Sequence, residues 1–284
     1  MSMTPERLVK DIDTIASLPT IYQRLSEVVN DSRSSNRDVA RILGEDAGLA
    51  ARLLRIANSA FYGYPGKIDS ITRAVTVLGI RQLRDLALAT TVMDLFPSIS
   101  TEVLNMESFW RHSVACGVTA RIIATYRREL NVERFFVAGL LHDIGRLILL
   151  MELPEPAGRA VEQARLQDEP LWWGESEVLG FDHSAVGAAL LTRWGLPAET
   201  VNAIAYHHQP ECAPEAMADP ATIHVADFIV HALNLGSSGE LCVPPLVAQA
   251  WKCLGLPQSV IPAIVAELDR QYREAVELVL PAAA

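Results

Sequence analysis

The sequence predicts an all-α protein, because apolar residues recur along most of its length at intervals of three and four. No segment has the alternating apolar and polar pattern of a half-buried strand, and no internal repeat is present. Glycine, proline and capping residues separate the apolar segments, as expected at helix ends. Half of the 284 residues are hydrophobic, so the chain can bury one large core or the cores of two subdomains.

The first half of the chain is predicted to contain five helices. The first follows Leu18-Pro19, and Asn36 and Ser70 are predicted to cap two of the later ones. A loop with two kinds of helix breaker occupies Tyr62-Gly63-Tyr64-Pro65-Gly66. The apolar faces or bounds of the five helices are Ile21, Leu25, Val28 and Val29; Val39, Ala40, Ile42 and Leu43; Leu49–Asn58; Ile71, Ala74, Val75 and Leu78, ending at Gly79; and Arg81–Phe96.

The second half continues in the same style after a predicted seam at Pro97–Glu102, which divides the chain into residues 1–97 and 98–284. Asp182 is predicted to cap the helix that begins at His183. Proline and glycine residues are predicted to end the helices on this side of the seam. The predicted helices are Ser108–Tyr126, Arg134–Met151, Glu155–Gln167, His183–Trp194, Glu199–His208, Ala221–Leu235, Pro244–Cys253 and Pro262–Leu278.

Charge and cysteine content limit the function classes. A formal net charge of −10 opposes non-specific binding to nucleic acid and to anionic membranes. The four cysteines form no CxxC pair, which suits a reducing cytoplasm and argues against a disulfide framework or a zinc ribbon. The first residues lack the pattern of a signal peptide, and no apolar run reaches the roughly 20 residues that span a bilayer. We expect a cytoplasmic protein that does not bind membranes.

A helix-turn-helix-like segment at residues 35–59 carries Arg41, Arg52 and Arg55. Three arginines on helices are usually a solvated face, and the acidic balance of the chain opposes a phosphate-binding surface. Nucleic acid is therefore not expected as a partner.

A doublet of potential metal ligands, His142-Asp143, lies inside the apolar run from Phe135 to Met151. Two such side chains in a hydrophobic segment are costly unless something pairs with them. Helical bundles build metal sites by pointing ligands from facing helices into a shared core. Imidazole together with carboxylate suits zinc, iron, manganese, cobalt or nickel rather than calcium. The candidate ligands are His112, His142, Asp143, His183, His207, His208 and Asp227.

The adjacency within the doublet has a geometric meaning. Neighbours on a helix diverge by about 100°, so His142 and Asp143 are predicted to straddle a groove, where the carboxylate can bridge two ions. Paired ions about 3.5–4 Å apart activate a water for attack on phosphorus. His224 and His231 share a helical face with Asp227, and they are candidates to orient the ligands.

Each candidate also has an explanation that needs no metal. A single histidine is more often a core or surface residue than a ligand. His207-His208 suits an imidazolium at a helix C-terminus, and Asp182-His183 suits a simple helix start. The cluster Trp172-Trp173-Gly174-Glu175 is expected to seal a core or line the groove rather than bind a ligand. These explanations weaken when the seven candidates are taken together, and we expect a metal site.

The motifs together resemble the HDOD domain, a relative of the HD metal-dependent phosphohydrolases found in bacterial signalling proteins. The most distinctive matches are Leu53–Phe61 in the first half and Ala138–Gly145, which contains the His-Asp doublet, in the second. The resemblance implies an HDOD-specific helical part, residues 1–97, packed on an HD-like helical bundle, residues 98–284. Further matching segments are Leu18-Pro19, Glu45–Leu49, Ile71, Ala74, Leu78-Gly79, Leu83, Phe109–Ser113, Glu177–His183, Val186–Ala188, Trp194–Pro197, Ile204, His207-His208 and Val225–Asp227.

The resemblance also implies a role. HDOD domains act as non-catalytic output or regulatory modules through protein-protein contacts, in two-component systems and as response regulator outputs, with a receiver or kinase domain as the expected partner. Many members have lost metal ligands. This sequence keeps, by position, the seven candidates named above, a set similar to that of HD-GYP cyclic-di-GMP phosphodiesterases. It therefore implies a mononuclear or binuclear centre of iron, manganese or zinc.

The same ligand set leaves an alternative open, a metal-dependent phosphohydrolase acting on a nucleotide or cyclic dinucleotide. Three departures argue against it. Arg146 stands where active HD phosphodiesterases usually have lysine, and the two side chains are not equivalent beside a phosphate. Ser108 stands in place of a glutamate of the HD-GYP enzymes, and Gln209–Cys212 in place of their Gly-Tyr-Pro segment. The Gly63-Tyr64-Pro65 of this chain lies before the doublet, in the wrong half. The sequence favours the signalling module.

Overall fold

The computed structural model describes residues 3–10, 12, 20–31, 33–59, 62, 64, 66–96, 104–214, 216–240 and 242–280. All regular structure in these ranges is helical, which confirms the all-α prediction. Short 3-10 helices occupy Val92–Leu95, Pro210–Cys212 and Gln258–Val260. The α-helices are α1 Pro5–Lys10, α2 Thr20–Asn30, α3 Asn36–Gly44, α4 Ala47–Ala57, α5 Ile71–Leu78, α6 Ile80–Thr91, α7 Met106–Tyr126, α8 Glu133–Leu141, α9 Ile144–Glu152, α10 Pro154–Gln167, α11 Leu171–Leu179, α12 His183–Arg193, α13 Ala198–Ala205, α14 Ala218–Ala232, α15 Ala248–Leu254 and α16 Ile261–Val279.

Helices α2 to α6 form the N-terminal part, and their ends follow the capping rules. The Ser70 side chain accepts a hydrogen bond from the Arg73 backbone N–H, which confirms Ser70 as the N-cap of α5. The prediction of Asn36 as a cap was wrong by one residue. Ser35 is the N-cap of α3 and forms a capping box with Asp38, so that Asn36 already lies in the first turn.

The N-terminal part and the rest of the described chain share a continuous buried hydrophobic cluster that extends from Leu8 to Val279. Helix α6 packs on α8, and α16 packs on both α4 and α7. Helix α1, which periodicity did not predict, lies against α12. The division into 1–97 and 98–284 stays a prediction, because the seam at Pro97–Glu102 lies outside the described residues, as do Leu18-Pro19 and two residues of the loop at 62–66.

Helix α7 is the centre of the C-terminal part and packs against α8, α14 and α16. The single helix predicted from Arg134 to Met151 was wrong, because the chain turns at His142-Asp143 between α8 and α9. Asp143 leaves helical geometry, with φ −98° and ψ 8°. The turn lets α9 lie against α12 at Gly145, where a Cβ would come within 2.0 Å of the His183 carbonyl oxygen.

Two other helix boundaries differ from the prediction in a way that affects the candidate ligands. Helix α13 ends at Ala205, so His207 and His208 lie in the turn that follows it rather than inside the helix. Helix α11 was not predicted, because its Trp172-Trp173 start and central Gly174 obscure any apolar stripe.

Within the described ranges no helix combines the length and the apolar character needed to cross a membrane.

Candidate metal centre

The structure brings all seven predicted ligands into one buried cluster. Helix α7 supplies His112, the turn between α8 and α9 supplies the doublet, and the first turn of α12 supplies His183. The turn after α13 supplies the second His pair, and α14 supplies Asp227. None of the seven is more than 9% exposed. The ligand atoms fall into two groups, within each of which they lie within 4.8 Å of one another: His112, Cys116, His142 and Asp227, the α7 group, and Asp143, His183, His207 and His208, the α12 group.

Asp143 lies between the two groups and presents one oxygen to each. Its Oδ2 lies 3.2 Å from His142 Nε2 and 3.9 Å from His112 Nε2. Its Oδ1 lies 3.0 Å from His183 Nε2 and 3.8 Å from His207 Nε2. This is the arrangement expected of a carboxylate that bridges two ions. This position of Asp143 was predicted from the divergence of neighbours on one helix. In the structure it results instead from the turn between α8 and α9.

The hydrogen bonds of the outer ring nitrogens fix the imidazole tautomers. His142 Nδ1 lies 2.7 Å from the Gly139 carbonyl oxygen, and His207 Nδ1 lies 2.7 Å from the Ile204 carbonyl oxygen. A carbonyl can only accept, so each Nδ1 carries a proton and each ring directs its Nε2 into the cluster. Donation from the outer ring nitrogen to a carbonyl or carboxylate is the arrangement found at metal-binding histidines.

Unpartnered polar atoms inside the cluster show that the residues present fit a metal ion. The Nε2 atoms of His142 and His207 and the Oδ1 atom of Asp143 are buried without a hydrogen-bond partner. Such groups are rare in folded proteins, since each one costs free energy that water or a partner would otherwise recover. A divalent cation in the α7 group would satisfy His142, and one in the α12 group would satisfy His207 and Asp143. Imidazole and carboxylate donors are the types that first-row transition metals accept.

In the α12 group the Nε2 atoms of His183 and His208 lie 2.8 Å apart, within hydrogen-bond distance. His183 Nδ1 lies 2.5 Å from Glu175 Oε2, which also accepts from the His183 backbone N–H. Two facing lone pairs repel unless a proton or a cation lies between them. Trp172 stacks on the outer side of the His208 ring, with centroids 5.8 Å apart, so this part of the tryptophan cluster covers the centre.

Electrostatics around the two carboxylates show what the cluster does without an ion. Burial lowers the pKa of His142, but the charges of Asp143 and Asp227 outweigh burial and raise it to about 10. Burial and Arg146 lower the pKa of His183, yet Glu175 and Asp143 raise it to about 9. His142 and His183 thus hold protons that a cation would displace.

His207 behaves in the opposite way, because burial and the nearby His142 lower its pKa to about 3. Burial likewise lowers the pKa of His208 well below its usual value, with His207 adding to the effect. Both rings are therefore neutral at physiological pH. The interpretation of His207-His208 as imidazolium at a helix C-terminus was wrong, since the pair is buried among other cationic groups.

The two flanking histidines support the cluster from outside. His224 Nδ1 donates to the His207 carbonyl oxygen at 2.8 Å, and its Nε2 accepts from the Val247 backbone N–H at 3.0 Å. Both ring nitrogens are thus occupied, and His224 holds the turn that carries the His pair. His231 Nε2 lies 3.3 Å from Asp227 Oδ1 and orients that carboxylate.

Two residues of the centre were not predicted from the sequence. Cys116 follows His112 by one helical turn on the same face of α7, an i, i+4 spacing that was available as a signal. Glu175 lies on α11, and only the tertiary packing of α11 against α12 brings it to His183. No sequence spacing could have indicated that pair.

Arg146 closes one side of the centre. Its Nη1 donates to the backbone and side-chain oxygens of Ser238, and its Nη2 donates to Glu240 Oε2 at 3.0 Å. Its Nε lies 3.4 Å from Asp143 Oδ1. The segment Gly236–Glu240 therefore covers the cluster, with Gly236 (φ 82°) placed where a Cβ would come within 2.5 Å of the His112 backbone nitrogen. The cavity beside Arg146 holds about 20 Å³, and none of the seven candidate ligands lines it.

Comparison with known proteins gives consistent matches. An HDOD domain protein of unknown function from Geobacter sulfurreducens has a crystal structure that matches 98% of this chain and 99% of its own, with 28% identity and a TM-score of 0.77. A Shewanella amazonensis SB2B protein, described only provisionally as a phosphohydrolase, matches 95% of this chain and 96% of its own, with 25% identity and a TM-score of 0.73.

An uncharacterized protein of Treponema pallidum (strain Nichols) is 25% identical over 205 residues, which are 72% of this chain and 39% of that relative. This chain thus spans well under half of that relative's length. The sequence profile of the HDOD domain matches residues 15–210, which carry six of the seven candidate ligands and leave Asp227 outside. The match covers most of the chain, and the chain belongs to the HDOD domain family.

Proposed function

We propose that this protein is a signal-transduction module that holds a metal centre in its core and acts through protein contacts rather than by hydrolysis. The observation that carries this proposal is the burial of the centre beneath Arg146 and Gly236–Glu240. The Arg146 side chain is only 4% exposed and the Glu240 side chain fully covered. The seven candidate ligands are at most 9% exposed, which leaves a substrate phosphate little access to the ligand atoms.

The ligand count also favours a structural role. The α7 group and the α12 group each offer four protein ligand atoms. Structural zinc sites have four protein ligands, whereas catalytic sites keep one position open for water or substrate. A metal ion held here would contribute its binding free energy to folding. It would tie α7, α12 and α14 to the turns after α8 and α13.

The contacts of Arg146 also argue against hydrolysis, because they leave its guanidinium unable to bind a substrate phosphate. A phosphohydrolase needs a cationic side chain free to contact phosphate. The guanidinium of Arg146 instead donates to Ser238 and Glu240 and faces Asp143. Its N–H donors are occupied by these contacts, which hold the segment Gly236–Glu240 over the core.

Signalling through contacts with another protein is the role that the family resemblance implies, and we extend it to this chain. The expected partner is a receiver or kinase domain in a cytoplasmic two-component system. The formal charge of −10 favours a protein partner over nucleic acid or an anionic membrane.

Asp143 supports a second candidate function, a metal-dependent phosphohydrolase, because its two oxygens face two potential ion positions. Paired ions of this kind activate water for attack on phosphorus. The Shewanella amazonensis relative is described provisionally as a phosphohydrolase. This activity would require the segment Gly236–Glu240 to leave the centre.

Elemental analysis of protein purified without chelator or affinity nickel, followed by assays with cyclic and linear dinucleotides, tests the proposal. We expect one or two ions of iron, manganese or zinc per chain and no turnover. Asp143→Asn should lose the metal, whereas Asp269→Asn, a matched change at an exposed aspartate, should keep it. Absence of metal after anaerobic reconstitution would overturn the proposed centre. Turnover that is lost in Asp143→Asn would replace the signalling proposal with the hydrolase.

A further inference from the structure

We propose that Cys116 binds the metal ion as a thiolate, so that the α7 group and the α12 group prefer different metals. The inference rests on the proposed metal centre and deepens it. Cys116 belongs to neither the HD motif nor the seven ligands predicted from the sequence.

The geometry places the sulfur among established ligand types. Cys116 is fully buried, and its Sγ lies 3.5 Å from His112 Nε2 and 3.6 Å from Asp227 Oδ1. The fourth member, His142, is equally buried, and its Nε2 has no hydrogen-bond partner. That unpartnered nitrogen lies within 4.8 Å of the other three ligand atoms. It is an independent sign that an ion belongs in this space.

A close helix crossing holds the sulfur in position. A Cβ on Gly139 of α8 would come within 2.7 Å of the Cys116 carbonyl oxygen on α7, so only glycine permits this approach. The Gly139 carbonyl oxygen in turn accepts from His142 Nδ1. One glycine therefore fixes both the backbone of the cysteine and the ring of the histidine. The distance between the two ligands is set by this crossing.

Negative charge around the α7 group is compatible with a thiolate ligand. A divalent cation in an apolar core is costly unless nearby negative charge compensates it. Asp227 supplies one charge, Asp143 Oδ2 faces His142 and His112 from the other group, and Cys116 is the remaining acidic member of the group of four. Coordination to a metal ion deprotonates a thiol outright. Cys116 would therefore become a negatively charged thiolate when the ion binds.

The thiolate makes the two groups chemically unequal. Thiolates select zinc, iron and other softer ions, whereas manganese and magnesium prefer oxygen donors. The α12 group has three imidazoles and one carboxylate and contains no sulfur. We therefore expect zinc, iron(II) or cobalt(II) in the α7 group, with manganese accepted in the α12 group alone.

A buried free cysteine otherwise behaves as a small apolar residue, and the test must separate that role from ligation. The full-length protein is loaded with cobalt(II), and its absorption is recorded in the visible and near-ultraviolet regions. Ligation by Cys116 predicts a thiolate-to-cobalt charge-transfer band in addition to the ligand-field bands. Cys116→Ser should lose the charge-transfer band. Cys253→Ser, at an exposed cysteine, should keep it.

A measurement on the wild-type protein keeps the inference decidable if Cys116→Ser folds poorly, and a second one applies if the variant folds. X-ray absorption of the zinc-loaded wild-type protein should show one sulfur scatterer at about 2.3 Å. In a folded Cys116→Ser variant, the preference for zinc over manganese should fall by at least about tenfold, the lower range for loss of a supporting group.

The outcomes separate this inference from the proposed centre. Stoichiometric cobalt binding with ligand-field bands but no thiolate band, together with no sulfur scatterer, would overturn ligation by Cys116 and leave the metal centre standing. Failure to bind cobalt or zinc at all would overturn the centre and this inference with it.

Discussion

The guanidinium of Arg146 and the carboxylate of Glu240 form a buried ion pair, with Nη2 and Oε2 3.0 Å apart and both side chains almost inaccessible to solvent. Glu240 Oε1 also accepts from the Leu171 backbone N–H at 2.8 Å. The pair therefore joins α9, α11 and the segment Gly236–Glu240 over the metal centre. The same arginine departs from the lysine of active HD phosphodiesterases. Its engagement with Glu240 gives that departure a structural explanation.

Replacing Glu240 with Gln should destabilise the protein, because Arg146 would keep its buried charge and lose its strongest partner. We expect a decrease in the free energy of unfolding of about 3 kcal/mol, the lower end for breaking a buried pair, since Ser238 and Asp143 remain. Urea denaturation measures the change. Glu169→Gln, at an exposed site, should change it by less than about 0.5 kcal/mol. Equal stability of the two variants would show that the pair does not hold the segment.

The glycine of the HD motif should be required for packing rather than for the metal chemistry. In Gly145→Ala the new methyl group would come within 2.0 Å of the His183 carbonyl oxygen and force α9 away from α12. We expect a loss of at least about 3 kcal/mol, since the nearest atoms are backbone and cannot yield easily. Thermal and urea unfolding measure it.

Gly158→Ala is the matched control for this substitution. A Cβ at Gly158, inside α10, meets no atom within 4 Å, and alanine there should stabilise the helix by roughly 0.5–1 kcal/mol. Similar effects of the two alanines would contradict the packing role of Gly145.

Helical periodicity and capping predicted most of the fold, because both are local properties of the chain. Ser70 and Asp182 were identified as caps from residue type and position alone, and both accept the expected backbone hydrogen bonds. The break at His142-Asp143 escaped prediction because the apolar pattern continues across it. The break goes together with close packing of Gly145 against α12, a contact between residues far apart in sequence.

The candidate site likewise contains residues that the sequence predicts and residues that only tertiary packing reveals. Histidines and aspartates in apolar surroundings are visible in the sequence, and the structure gathers all seven. Glu175 and Glu240 were not identified, because their partners His183 and Arg146 meet them only after α11 and the segment Gly236–Glu240 have packed. Cys116 was missed for another reason. Its position one helical turn after His112 could be read from the sequence, but a single cysteine in an apolar segment suggests an ordinary core side chain.

The stability of the metal-free protein should be greatest near pH 6.5. The folded-state pKa values of His142, about 10, and His183, about 9, are raised, so their contribution is complete below about 6.5 and disappears as pH rises through 9 to 10. The pKa of His207, about 3, is lowered, so stability falls as pH decreases from 6.5, where the unfolded chain takes up a proton that the folded protein does not.

A metal ion should remove the alkaline half of this profile, because bound imidazoles are already deprotonated. We expect the zinc-loaded protein to keep its stability between pH 6.5 and about 9, while the chelator-treated protein loses at least about 1 kcal/mol over that range. Urea denaturation at several pH values, with and without chelator, checks this. Parallel profiles would show that the protons on His142 and His183 are not those that the metal displaces.

Glu175 should determine how His183 is presented to the metal. Its Oε2 lies 2.5 Å from His183 Nδ1, and Glu175→Gln would exchange that carboxylate for an amide that no longer strengthens the ring as a donor. We expect zinc affinity to fall about 10- to 100-fold, as for other supporting partners, with the helical content unchanged. Competition with a chromophoric chelator measures it. Glu177→Gln, on the exposed side of α11, should bind as the wild type does; equal affinities for all three proteins would mean that Glu175 only packs.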